Sequence, residues 1–224
     1  MGLATGKIAA SDPRWKRRTP STSTAGQRSS EVPAATDWGS LMRILAILSF
    51  AALSCTALAA GPFTLESAEI KPGSTIAEAQ VYKGFGCEGG NVSPSLKWSN
   101  APAGTKSFAV TVYDPDAPTG SGWWHWLMFN IPADVTSLTS GAGDPAKGLA
   151  PAGAVQSRTD YGTPGYGGPC PPQGDRPHRY IFTVHALRVD RLDVGENSTA
   201  ALVGFTINVN LINKASFTGS YGRK

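Results

Sequence analysis

The sequence predicts a mostly β chain, a sandwich with one C-terminal helix. Three observations carry this. Gly 26 and Pro 17 together exceed one residue in six, which favours turns over long helices. Short runs rich in apolar, β-branched and aromatic residues recur between the turns. One segment, late in the chain, is preceded by a cap-like Asn197-Ser198-Thr199.

In order, Phe63 to Ile70 alternates loosely, and Ser93 to Trp98 leads into a turn at Asn100 to Gly104. Ser107 to Tyr113 (SFAVTVY) has the composition of a buried strand. Trp123 to Ile131 and Tyr180 to Arg188 (YIFTVHALR) read the same way. Between them Ser140 to Pro177 is crowded with Gly and Pro. A loop of that length inside a compact domain usually serves a function. The capped segment runs from Ala200 to about Ala215, but Thr206, Ile207 and Val209 are β-branched, so helix and strand both stay open there.

The chain divides into three parts. Residues 1–41 are Ser/Thr/Arg-rich without periodicity, a disordered segment or an upstream extension ahead of a start at Met42. From Met42 to Ala59, one basic residue, an apolar stretch and Ala57-Leu58-Ala59 have the layout of a signal peptide cleaved before Ala60. That stretch is short for a membrane span. Its other reading is a buried core helix, and Cys55 offers a poor lipobox. Residues 60–224 form one domain, and the implied location is periplasmic or secreted.

Charge excludes one class of partner. Seven of the 20 Lys+Arg and three of the 16 Asp+Glu precede residue 60, leaving 13 of each in the body. A neutral body carries no basic footprint for nucleic acid. Of three cysteines, Cys55 falls in the signal segment. Cys87 and Cys170 remain, an even pair in a chain bound for an oxidising compartment. A Cys87–Cys170 disulfide is expected, with two free buried thiols as the alternative.

The candidate chemistry sits in three places. In a strand from Ser107, Phe108, Val110, Val112 and then Asp114 share a face, so Asp114 stands where an apolar row runs out. Two prolines stiffen Asp114-Pro115-Asp116-Ala117-Pro118. His125 is expected on one face with Leu127, Phe129 and Ile131. His178 and Tyr180 share a face, and His185 points the other way, structural or exposed. Singly, each has a bland explanation: an Asp turn bonding its own backbone, or a satisfied core histidine. Together, two imidazoles and a phenol suit an anionic oxygen cluster, with carboxylates orienting the rings and favouring their charged forms. Gly167-Gly168 would add backbone N–H donors. Asp114 and Asp116 would repel an anion, so they should stand behind the histidines or meet a cationic part of the ligand.

These residues also carry a resemblance. DPDAPTGSGWWHW, GYGGPCPPQGDRPHRYIFTVHAL, GFGCEGGNVSPSLKW and ALVG resemble the phosphatidylethanolamine-binding protein family, most closely its bacterial Raf-kinase-inhibitor-like branch, over about residues 62–223. The resemblance implies an antiparallel β-sandwich with a pocket for phosphate-like or carboxylate anions and phospholipid headgroups. It implies ligand-binding roles for Asp114, Asp116, His125, His178 and Tyr180, rim positions for Gly168 and Pro172, and a looser role for Tyr221. It also implies no metal, no cofactor and a homodimer. The leading expectation is a non-catalytic binder of a small anionic or phosphorylated group. A hydrolase lacks an evident nucleophile, since Ser121 sits in a Gly-Ser-Gly turn. A zinc site lacks closely spaced ligand pairs. Inhibition of a protease or kinase is neither supported nor excluded by the residues, and a signal peptide would separate the chain from cytosolic kinases.

Overall fold

The computed structural model describes residues 61–224, so the disordered or upstream segment 1–41 and the signal segment Met42 to Ala59 lie outside the described residues. Ten strands and one α-helix follow in chain order: β1 (Thr64–Glu66), β2 (Lys83–Gly84), β3 (Cys87–Glu88), β4 (Leu96–Ser99), β5 (Ser107–Asp114), β6 (Trp123–Pro132), β7 (Ser137–Leu138), β8 (Val155–Gln156), β9 (His178–Leu187), α1 (Ala200–Val209) and β10 (Leu211–Tyr221). The main sheet has the order β10-β9-β5-β6-β8, a smaller one β1-β4-β7, and β2-β3 is a separate hairpin. Every strand pairing is antiparallel.

The main sheet is covered on both faces. Phe108, Val110, Val112, Trp126, Phe182 and Phe217 meet Leu65, Leu96, Trp98 and Leu138 of the small sheet in one apolar cluster. Ala109, Leu127, Phe129 and Leu187 meet Ala200, Val203 and Ile207 of α1 in a second. Six consecutive buried residues in β5 follow from this double cover, which removes the usual in–out alternation of an antiparallel strand. Each large side chain so buried contributes roughly 1.5–3 kcal/mol. Among the described residues no helix is long and apolar enough to cross a membrane.

Two expectations need correction. The capped helix forms, with the Thr199 hydroxyl accepting from the Leu202 N–H, but it ends at Val209 and not near Ala215. Beyond Asn210 the buried residues are Ala215, Phe217 and Gly219, a period of two, and the segment pairs with β9 along its length. The second correction concerns β6. Val112 faces Trp126 while Tyr113 faces Trp124, so His125 is the extra residue of a bulge. His125 and Trp126 therefore lie on the same side, with the first cluster, while Leu127 and Phe129 belong to the second. A further shift near Asn130 (φ 58) returns Ile131 to the first cluster. There the Asn130 side chain accepts from the Leu192 N–H at 2.7 Å.

Candidate functional site

The open end of the first cluster is where β5, β6 and β9 deliver polar side chains. Asp114 ends β5, His125 sits on the bulge of β6, and His178 and Tyr180 open β9. They line one hollow of about 210 Å³. Trp123 and Tyr161 complete its base; Phe85, Ala117, Pro118, Thr119, Cys170, Pro171 and Pro172 form its walls and rim.

Asp114 has both oxygens engaged. Oδ1 accepts from the Asp116 N–H at 2.7 Å, and Oδ2 lies 2.8 Å from His178 Nδ1. Asp175 Oδ2 stands 3.4 Å from the other ring nitrogen, so carboxylates flank the imidazole at both ends. Asp114 thus sits behind His178. His125 Nδ1 donates to the Gly167 carbonyl at 2.7 Å. Its Nε2 is buried and has no partner in the protein. Tyr180 and Trp123 line the same hollow, and the Tyr180 hydroxyl and Trp123 Nε1 are buried and unpartnered too.

Burial dominates the electrostatics. It lowers the His125 pKa to about 4, against the raising influence of the Gly167 carbonyl and Asp114. His125 is consequently neutral near pH 7, contrary to the expectation of a charged ring. Desolvation likewise pushes the Tyr180 and Tyr161 phenols well above their ordinary range, so both keep their protons.

The sequence and the fold match known proteins. The family profile described as "Phosphatidylethanolamine-binding protein" matches residues 66–222. The chain belongs to that family. It is 54% identical over 175 residues to the UPF0098 protein YbcL of Escherichia coli, covering 78% of this chain and 94% of YbcL. It is 48% identical to E. coli YbhB over 157 residues, 70% of this chain and 98% of that protein. The crystal structure of YbcL, described as a new member of the mammalian PEBP family, superposes with a TM-score of 0.72 at 55% identity, covering 73% of this chain and all of that one.

Asp116, Gly167, Gly168 and Tyr221, all singled out by sequence, are not among the residues lining the hollow. Asp116 is tied up elsewhere: its carboxylate accepts from Arg179 Nε at 2.8 Å, Arg179 Nη2 at 2.9 Å, the Arg179 N–H at 3.0 Å and Arg176 Nη2 at 3.3 Å. Hydrogen bonding to Arg179 holds its pKa down at about 2. It anchors the start of β9 to the β5 turn. Gly168 donates its N–H to Asn91 and accepts from the Tyr161 hydroxyl, each at 2.8 Å. A Cβ there would collide with the Gln80 carbonyl oxygen, which is why the position takes glycine. The Gly167 N–H donates to the His125 carbonyl. Neither glycine, then, has a donor to spare. Tyr221 pairs with His178 in the ladder and gives its hydroxyl to Glu78 at 2.9 Å.

Sequence reasoning missed Trp123, Tyr161 and Phe85. Tyr161 stacks on Tyr82 (4.1 Å between centroids) and meets Trp123 and His125 edge-on at 5.3 and 5.6 Å. The signal was the aromatic density of the long loop and of Trp123-Trp124-His125-Trp126, but nothing local says which tryptophan faces the hollow.

The expected Cys87–Cys170 disulfide is present and closes the rim, joining the β2-β3 hairpin to the Pro171-Pro172 loop. Arg223 makes the same connection by hydrogen bonds to the Pro171 and Gly86 carbonyls at 2.7 and 3.1 Å. Among the described residues no group of three or more His, Cys, Asp or Glu is arranged to hold a metal ion.

Proposed function

We propose that this protein is an exported, non-catalytic binder of a small anionic group, phosphate- or headgroup-like, held at the base of the hollow. One observation carries the reading. Trp123, Tyr180 and His125 line one space with His178, and each carries a buried polar atom with no partner in the protein. A buried polar atom without a partner forfeits roughly 1–3 kcal/mol, and a ligand that supplies the partners recovers it. The apolar rim of Phe85, Pro118, Pro171 and Pro172 excludes water and strengthens those bonds. Family membership is consistent with such a pocket. The disulfide supports export, since it persists in oxidising compartments. Ser121, the nucleophile weighed from sequence, is not among the lining residues, and the Thr119 hydroxyl already donates to the Gly122 carbonyl.

Calorimetric titration of the mature protein with phosphoethanolamine and with inorganic phosphate tests this. Binding is expected in the wild type, weakened at least tenfold in His125→Ala and His178→Ala, and unchanged in His185→Ala. No binding to the wild type sinks the reading.

A further inference from the structure

We propose that Phe85 is a specificity-determining residue of the hollow: its exposed ring receives an apolar group carried by the bound anion, so the ligand class is an anion joined to an alkyl or acyl chain. This rests on the binding reading above and adds the part of the ligand that lies beyond the base.

Gly84 pairs with Cys87, so Phe85 and Gly86 alone form the turn between β2 and β3. Both have positive φ, 52° and 78°. A two-residue turn of this kind favours Asn or Asp in its first place and Gly in its second. Gly86 fits that preference and Phe85 does not, because the left-handed conformation brings its Cβ too close to the following carbonyl oxygen. Burial does not offset the strain. The ring packs beside Tyr82 and Tyr161, with centroids 5.6 Å away in each case, yet it remains 67% exposed. Nor is the ring needed to hold the hairpin. The Cys87–Cys170 disulfide ties it to the loop opposite, and Arg223 bonds the Gly86 and Pro171 carbonyls. Strain of this sort, kept in place by its surroundings, gathers at binding sites.

The position of the ring says what it receives. Phe85 lines the rim of the hollow with Ala117, Pro118, Pro171 and Pro172. None of these five side chains is polar, whereas Asp114 and His178 line the base. An anion at the base therefore directs its substituent past an apolar rim. An alkyl chain that covers Phe85 removes apolar surface of both partners from water, with a gain in proportion to the area. A bare anion leaves the ring exposed.

Calorimetric titration of the mature protein with methyl, ethyl and butyl phosphate tests this, since the three share one charged group and differ only in chain length. In the wild type butyl phosphate is expected to bind roughly tenfold more tightly than methyl phosphate, about half the free-energy gain of complete burial because one side of the chain stays in water. Phe85→Asn, which installs a residue that the turn favours, should shrink that ratio to within about threefold and leave the urea midpoint equal or higher. Phe85→Leu, apolar and still strained, should keep most of the ratio. A ratio near one in the wild type, or a ratio that survives Phe85→Asn, overturns the role of Phe85 and leaves anion binding standing. A collapsed ratio together with a lower urea midpoint in Phe85→Asn assigns the ring to holding the hairpin and overturns it too. Phe85-dependent sedimentation with phosphatidylcholine vesicles, without a ratio in solution, gives the ring to a membrane surface and likewise overturns it. Failure of all three phosphates to bind at millimolar concentration overturns the binding reading and this inference with it.

Discussion

His125 and His185 lie in different regions of the same sheet and are alike in most local respects. Both are buried, each has one ring nitrogen bonded and one without a partner, and burial lowers both to about 4. His185 Nε2 meets the Thr111 hydroxyl at 3.0 Å on the α1-facing side, close-packed by its own sheet. His125 faces the other way and lines a hollow together with Trp123 and Tyr180, two further residues with an unpartnered buried polar atom. The difference teaches that an unsatisfied buried nitrogen is not in itself the mark of a site. Several residues with such atoms around one hollow make the distinction.

The rim offers the largest effect with which to break the comparison. Replacing both Cys87 and Cys170 by Ser removes a cross-link between residues 83 apart in sequence. About 4 kcal/mol of stability should be lost, seen as a lower urea midpoint. Amide exchange should rise first in Lys83–Glu88, beside the hollow, and last in α1 and β9 beside His185. Uniform exposure of both regions would show that the rim is not a separable feature.

Acid comes next. Both imidazoles have folded-state pKa values below the ordinary 6.5, so the unfolded chain binds protons more readily. Their stabilising contribution is intact above about pH 6.5 and is lost as pH falls through that value toward 4. Each histidine accounts for on the order of 3 kcal/mol across that window. Urea unfolding between pH 7 and pH 4 should therefore flatten by similar amounts in His125→Gln and His185→Gln. A flattening in only one of them would make the two burials unequal.

The smallest change isolates the side without a hollow. Thr111→Val removes the partner of His185 and should cost about 1 kcal/mol. Anion affinity should stay within twofold of the wild type. A larger loss of affinity would mean that the two faces are coupled through β5.

Much of the fold was legible because it is local. The central strands β5, β6 and β9 are buried on both faces, so they read as unbroken apolar runs, and each begins or ends within about two residues of the expected place. The shared face of His178 and Tyr180, and of Val112 and Asp114, needs only a period of two. Parity of cysteines was enough to pair Cys87 with Cys170. Where reading along the chain failed, the deciding partner was distant. Residues after Asn210 have no strong preference of their own; pairing with β9 makes them a strand. The bulge that turns His125 away from Leu127 is a property of two strands in register, not of one. Asp114 and Asp116, two residues apart and chemically identical, are separated by where Arg179 and His178 arrive.

Residue order alone thus determined a mostly β chain, its central strands, its cross-link and the kinds of group able to do chemistry, since composition and periodicity depend on neighbours along the backbone. Tertiary structure alone decided which of those groups meet. It put Trp123 and Tyr161 beside His125, consumed Asp116 and the Gly167-Gly168 donors in holding the frame, and left three unpartnered polar atoms on residues that line one hollow. The physical reason is that hydrogen-bond satisfaction and burial are settled by contacts across the sheet, and a one-residue shift in pairing moves a side chain from one face to the other.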